Sequence, residues 1–257
     1  MVERLYLIKV PVRADRLAAF ARQRALPLRV ADTGYLVHCV LKEAWQDAAP
    51  RPFVVRGTGR SLDVWAYSLL SADELRIHAA EFGDPAAVNA ILDVGALAAR
   101  EVPCFESGRC LGFRLRACPV VRLARTGGGY KSGAEVDAFL AACLQVGPDV
   151  AVSREGVYRE WLSKKLDVAA AGVNVELIRI AGLSRDRLLR RTHGVERRAG
   201  VLDRPSVHFE GEFVVADGQR LLDFLQHGVG RHRAFGFGAL MIVPPVASLP
   251  DQRVARC

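Results

Sequence analysis

Two β-like runs, Phe53-Val54-Val55 and Leu62 to Ser68 (LDVWAYS), stand almost back to back, joined by a Gly57-Thr58-Gly59 turn. A connection that short can only fold the chain back on itself as a hairpin, because parallel neighbours need a crossover of a dozen or more residues. One long parallel sheet is therefore a poor fit, and the elements around the hairpin must be arranged about it. Arg4 to Val12 reads as a strand and Asp15 to Ala25 as a short helix ended near Pro27. Asp32-Thr33-Gly34 offers a cap for a second helix, Tyr35 to Trp45, which Pro50 and Pro52 close. Ser71-Ala72-Asp73-Glu74 opens a helix running to Glu81, and another helix-like stretch covers Asp84 to Leu92. Leu111 to Arg116, extended by Pro119 to Leu123, reads as the closing strand of a β, α, β, β, α, β series. After the glycine-rich Arg125 to Gly133, the spacing predicts helices over Ala134 to Leu144 and Arg154 to Lys165. A strand over Asn174 to Ala181, a strand over His208 to Val215, a helix over Gly218 to Gln226 and a last strand, Ala239 to Val243, follow. The expected class is α+β, two α/β plaits in tandem over residues 1–124 and 134–257.

With 257 residues, 51% of them hydrophobic, there is enough chain and apolar material for two cores. No window approaches the roughly 18 consecutive apolar residues of a membrane span, and the N-terminus MVERLYLIKV lacks the apolar stretch of a signal peptide. No membrane partner and a cytoplasmic location are expected. The net charge of +8 points to a polyanionic partner, and it is carried almost wholly by arginine. Only Lys9, Lys42, Lys131, Lys164 and Lys165 are lysines. The cysteines Cys39, Cys104, Cys110, Cys118, Cys143 and Cys257 form no C-x-x-C and no zinc-spaced group, so small buried hydrophobes are expected, with no metal, no disulfide and no cofactor.

The richest stretch is Gly228-Val229-Gly230-Arg231-His232-Arg233-Ala234-Phe235-Gly236-Phe237-Gly238. It does not have the third glycine of a dinucleotide fingerprint, it has no G-K-[ST], and the helix comes before it and the strand after it. Glycine admits positive φ and close approach of a ligand to the backbone. Arg231 and Arg233, flanking His232, supply planar donors for phosphate. The stretch reads either as a phosphate-backbone-binding loop built on Gly228, Gly230, Gly236 and Gly238, or as a hairpin turn with surface charge.

On the Tyr35 to Trp45 helix, at about 100° per residue, Tyr35, His38 and Lys42 share one side while Val37, Val40, Leu41 and Ala44 share the other. An imidazole beside a phenol and an ammonium suits proton transfer at a phosphodiester, and a boundary histidine on an amphipathic helix is the plainer alternative. A third basic group comprises Arg185, Arg187, Arg190, Arg191, Arg197 and Arg198, around His193. Read as a helix, Arg187, Arg190 and Arg191 share a face suited to a nucleic-acid groove; the alternative is a solvated basic loop. Arg24 adds a basic position at the end of the first helix.

Three matches carry a resemblance. Phe209-Glu210-Gly211-Glu212, the helix Leu221 to His227, Gly228-Val229-Gly230 and Phe235-Gly236-Phe237-Gly238-Ala239-Leu240 resemble the C-terminal signature of the CasE-type endoribonucleases that process CRISPR precursor transcripts. Phe113-Arg114-Leu115-Arg116-Ala117-Cys118-Pro119 resembles that family's F-x-L-R-x-x-P strand, and Tyr35-x-x-His38 its catalytic helix. The resemblance implies two tandem ferredoxin-like (RRM-like) βαββαβ domains. It implies metal-independent cleavage at the 3′ base of a repeat hairpin, with the 2′-OH attacking phosphorus to leave a 2′,3′-cyclic phosphate. His38 would be the general acid/base and Tyr35 would orient the reacting groups, while Lys42 is placed only by helical geometry. The implied partners are CRISPR repeat hairpin RNA, the mature crRNA and other CRISPR effector subunits. Type I-E and type IV members are not separated by these motifs, and an arginine-rich helical finger of the type IV kind would suit Ser184 to Ala199. The alternative is a non-catalytic RNA-binding subunit of an effector complex built on the same plaits.

Overall fold

The computed structural model describes residues 4–24, 32–59, 61–147, 149–191 and 199–245. The first plait runs β1 (Tyr6–Arg13), α1 (Ala14–Gln23), α2 (Thr33–Trp45), β2 (Phe53–Thr58), β3 (Ser61–Ser68), α3 (Ala72–Phe82), α4 (Pro85–Ala90) and β4 (Ala98–Glu101). Its sheet has the order β2-β3-β1-β4 and is antiparallel throughout, which is the ferredoxin-like arrangement. Alternate residues of β1, Ile8, Val10 and Val12, point into the core as a strand with one covered face requires. Against them pack Val37, Val40, Leu41, Ala44 and Trp45 of α2, with Leu75 of α3. The Trp45 indole nitrogen donates to the Leu75 carbonyl at 2.8 Å, so the largest residue in this core has its polar atom satisfied. Ser71 and Glu74 form the capping box that starts α3.

The second plait contains β5 (Cys110–Ala117), β6 (Val120–Arg122), β7 (Glu135–Asp137), α5 (Ala138–Val146), α6 (Arg154–Ser163), α7 (Val168–Ala171), β8 (Val173–Arg191), β9 (Ala199–Val215), α8 (Gly218–His227) and β10 (Leu240–Val243). Its sheet order, β10-β5-β9-β8, repeats the topology of the first. β6 and β7 form a separate two-stranded ribbon.

Three expectations are corrected. Leu111–Arg116 is a strand, but it opens the second sheet, between β9 and β10, and does not close the first. The strand that closes the first sheet is β4, whose Ala98-Ala99-Arg100-Glu101 is mostly exposed and carries no β-branched residue to mark it. Ser184 to Arg191 is not helical: β8 and β9 make one long hairpin, paired from Val173↔Val215 to Arg191↔Ala199. Leucine and arginine are good helix formers, but cross-strand pairs such as Leu188↔Leu202 override that preference. Finally, the helix expected from Ala134 begins at Ala138, capped by Asp137 after the three residues of β7.

One join between the two halves is at β3. Tyr67 is buried in the second core, and its hydroxyl donates to the Leu240 carbonyl of β10 at 2.7 Å.

Candidate active site and nucleic-acid interface

Helix α2 starts where Asp32 accepts a hydrogen bond from the Tyr35 amide at 2.9 Å. The residues expected inward, Val37, Val40, Leu41 and Ala44, are all buried, and that orientation turns His38 and Lys42 to the other side, half-buried. Tyr35 behaves differently from the expectation. It is 9% exposed and stacks on Phe235 with ring centroids 5.7 Å apart. Lys42 is held by Asp47, at 2.8 Å. The His38 imidazole has its pKa lowered, first by burial and then by the positive charges of Lys42 and Arg51. It is thus neutral at pH 7, the form that accepts a proton.

The glycine-rich stretch leaves α8, whose Leu221, Leu222 and Leu225 are buried, and turns back to enter β10. Gly228, Gly230, Gly236 and Gly238 all have positive φ, as does His232 at 61°. The loop is closed by the Val229 amide donating to the Gly238 carbonyl at 2.8 Å and by the Gly238 amide donating to the Arg116 carbonyl of β5 at 2.8 Å. A Cβ on Gly238, with φ of 80°, would sit 2.4 Å from the Val229 carbonyl oxygen, so only glycine permits this closure. The basic centre is anchored. Glu135 of β7 binds the Arg231 Nε at 2.7 Å, the His232 Nε2 at 2.8 Å and Arg204 of β9 at 3.2 Å. Burial raises the Glu135 pKa, but these three basic partners outweigh it and the carboxyl stays below its usual value. Burial likewise lowers the His232 pKa, and Glu135 opposes this only in part. Arg233 donates to the His227 carbonyl at the end of α8.

Helix and loop, far apart in sequence, meet. A Cβ on Gly34 would lie 2.2 Å from the Phe235 carbonyl oxygen, so the first turn of α2 rests directly on the loop. Between them opens a cleft of 1330 Å³, lined on one side by Tyr35, His38 and Lys42 and on the other by Gly230, Arg231, His232, Arg233 and Phe235. Arg51, in the segment between α2 and β2, lines the same cleft and was missed in the sequence because nothing in Pro50-Arg51-Pro52 marks it. Glu135 was also missed, since it was expected on a helix.

Of the other basic positions, Arg185 and Arg187 lie on β8 and line a second pocket of 520 Å³ with Asp32, Arg116 and Asp186. Arg187 lies 3.7 Å from Asp203 across the hairpin. Arg190 and Arg191 end the described part of β8, so the helical face expected for Arg187, Arg190 and Arg191 does not form. Arg197, Arg198 and His193 lie outside the described residues. Arg24 is held by Glu43 at 2.6 Å and Asp84 at 2.9 Å, which ties the end of α1 to α2 and α4. Cys118 is buried, and burial pushes its thiol pKa up to about 12, but Cys104 and Cys110 are exposed, contrary to the expectation for all six. Among the described residues no cluster of His, Cys, Asp or Glu is arranged to hold a metal ion, and no helix is long and apolar enough to cross a membrane.

The sequence model of the family described as CRISPR associated protein matches residues 5–244. A curated relative, the CRISPR-associated endoribonuclease Cse3 of Thermus thermophilus, is 33% identical over 144 residues, which is 55% of this chain and 59% of that protein. The match thus spans less than two thirds of the relative's length. Among solved structures, CRISPR endoribonuclease Cse3 bound to a 19 nt RNA superposes with a TM-score of 0.62 at 22% identity, covering 94% of this chain and 100% of that one. The CRISPR-associated protein Cas6e from Escherichia coli str. K-12 gives 0.55 at 21% identity, over 93% and 99%. At these identities the structural likeness speaks to the fold, which is that of tandem ferredoxin-like domains.

Proposed function

The chain belongs to the family of CRISPR associated proteins, and from that premise we propose that it is an endoribonuclease that cuts precursor CRISPR RNA at the 3′ base of the repeat hairpin. The observation that carries this reading is the meeting of the His38 helix with the glycine-rich loop in one 1330 Å³ cleft. The name of the Thermus thermophilus relative, an endoribonuclease, supports it. In this mechanism the neutral His38 takes the proton of the attacking 2′-OH. The 2′ oxygen bonds to phosphorus, the bond from phosphorus to the 5′ oxygen breaks, and that oxygen leaves with a proton that protonated His38 can return. A 2′,3′-cyclic phosphate remains, and no metal takes part. Proton transfer of this kind contributes on the order of 10²–10⁴-fold to a rate. Tyr35, stacked on Phe235, orients the nucleotide, and Lys42 lies one turn along the helix from His38. The loop from Gly228 to Gly238, with Arg231 and Arg233, grips the backbone of the stem, joined by Arg185 and Arg187 of the hairpin. The product stays bound and is carried into a complex with other effector subunits.

The test is a hairpin RNA carrying its neighbouring repeat, incubated with the full chain in excess EDTA. Cutting is expected, with a cyclic phosphate on the 5′ fragment. The His38→Ala variant should bind the same RNA but leave it intact. Normal cutting by that variant, or loss of wild-type cutting in EDTA, would refute the mechanism. RNA that is bound yet survives long incubation with wild-type protein would make the chain a non-catalytic RNA-binding subunit.

A further inference from the structure

The cleft holds more basic groups than the reaction needs, and they are not equivalent. Lys42 is paired with Asp47 at 2.8 Å, Arg231 with Glu135 at 2.7 Å, and His232 with Glu135 at 2.8 Å. Arg233 donates to the His227 carbonyl, and His227 is bonded to the Asp223 carbonyl at 2.7 Å. Arg51 is the exception: among the described residues its exposed side chain makes no hydrogen bond, ring contact or close ion pair, and the acid its charge reaches, Asp47, is already bonded to Lys42.

The base of that side chain is nevertheless immobilised. The Arg51 amide donates to the Tyr67 carbonyl at 3.0 Å, and the Tyr67 amide donates to the Pro52 carbonyl at 3.2 Å. Tyr67 is itself buried and bonded to β10. Pro52 lies against the glycine loop, because a Cβ on Gly228 would come within 2.7 Å of its ring. Arg51 thus projects from the seam where the His38 helix, β3 and the glycine loop converge. Its charge reaches both His38 and Asp47, lowering the pKa of each. A rigidly based arginine whose five donors are unengaged suits a dianionic phosphorus centre, which accepts two parallel N–H···O bonds.

We propose that Arg51 is a catalytic residue that binds the non-bridging oxygens of the scissile phosphate and stabilises the charge they gain as the 2′ oxygen attacks. This takes from Lys42 the part assigned to it by helical spacing, since the Lys42 ammonium is already bonded to Asp47. The proposal rests on the endoribonuclease reading, and its test separates the two. Single-turnover cleavage of the hairpin RNA is measured at saturating protein in EDTA, beside equilibrium binding of an RNA whose attacking 2′-OH is replaced by hydrogen. Arg51→Ala should lower the cleavage rate on the order of 100-fold or more while changing the dissociation constant only a few-fold. Arg51→Lys, which keeps the charge but not the fork, should recover part of the rate. The pH–rate limb that reports His38 should move to higher pH in Arg51→Ala and return in Arg51→Lys, a shift that a merely structural role would not give.

Wild-type protein that cuts while Arg51→Ala cuts within a few-fold as fast overturns the assignment and leaves the endoribonuclease reading standing. So does an affinity loss equal to the rate loss, which would make Arg51 a general RNA contact. Wild-type protein that leaves the hairpin intact overturns both.

Discussion

His38 sits where α2 turns its polar side to the cleft, and the groups around it decide its protonation. Lys42 faces it from its own helix and Arg51 from the segment before β2, while Arg231, His232 and Arg233 line the cleft from the glycine loop. Glu43 and Asp47 are also there, but the acid nearest to Lys42, Asp47, is exposed. Burial and the two cations leave the imidazole pKa below its ordinary value of about 6.5. With the pKa lowered, the neutral base is retained further into acid. The limb of the pH–rate profile that reports His38 is therefore expected to have its midpoint below about 6.5. A midpoint at or above that value in single-turnover cleavage would contradict this account. His38 and Lys42 are legible in the sequence as a pair because helical spacing alone places them on one side of α2. Arg51 was not, because its placement comes from hydrogen bonds to Tyr67, and Tyr35 was misjudged because the aromatic residue that covers it, Phe235, arrives from the far end of the chain.

At the scale of elements, the glycine loop is a closed unit whose shape depends on positions where a side chain has no room. Gly238→Ala adds a methyl at φ of 80°, 2.4 Å from the Val229 carbonyl oxygen, so the Val229–Gly238 hydrogen bond must open or the turn must move. Left-handed backbone alone costs a non-glycine residue about 1–2 kcal/mol, and the displaced carbonyl adds to it. The expected outcome is a protein that still folds, since α8 and β10 keep their own packing, but binds hairpin RNA at least several-fold more weakly. Unchanged affinity in a filter-binding titration would separate the loop from the RNA. The glycines, the flanking helix and the strand after them were all readable, because turn chemistry is local. The β8–β9 hairpin was only half readable. Its strands near Asn174 and His208 show apolar runs, but from Ser184 onward the residues favour helix, and only pairing across the hairpin makes them a strand.

At the scale of the molecule, the candidate active cleft lies across the seam between the plaits, so its alignment depends on how the halves are joined. Local pattern reveals the number and kind of elements in each half, but not which sheet a strand enters. Leu111–Arg116 was recognisable as a strand, yet its partners are β9 and β10, which begin only at Ala199 and Leu240, and no local pattern names them. The weak β4 could be identified only by its pairing with β1. One point of the join is Tyr67. Its backbone holds Arg51 and Pro52 beneath the cleft, its ring packs in the second core, and its buried hydroxyl bonds the Leu240 carbonyl of β10 at 2.7 Å. Tyr67→Phe keeps the ring and removes that bond, leaving a buried carbonyl short of a donor, which costs about 1–2 kcal/mol. For a chain of this length that corresponds to a melting temperature lower by roughly 2–8 °C. If the seam aligns His38 with the RNA held by the loop, the cleavage rate at saturating protein should fall further than RNA affinity does, because binding tolerates a shift between the halves that in-line attack does not. Equal losses in rate and affinity, measured on the same hairpin at a temperature well below the melting transition, would mean that the hydroxyl stabilises the fold without positioning the chemistry.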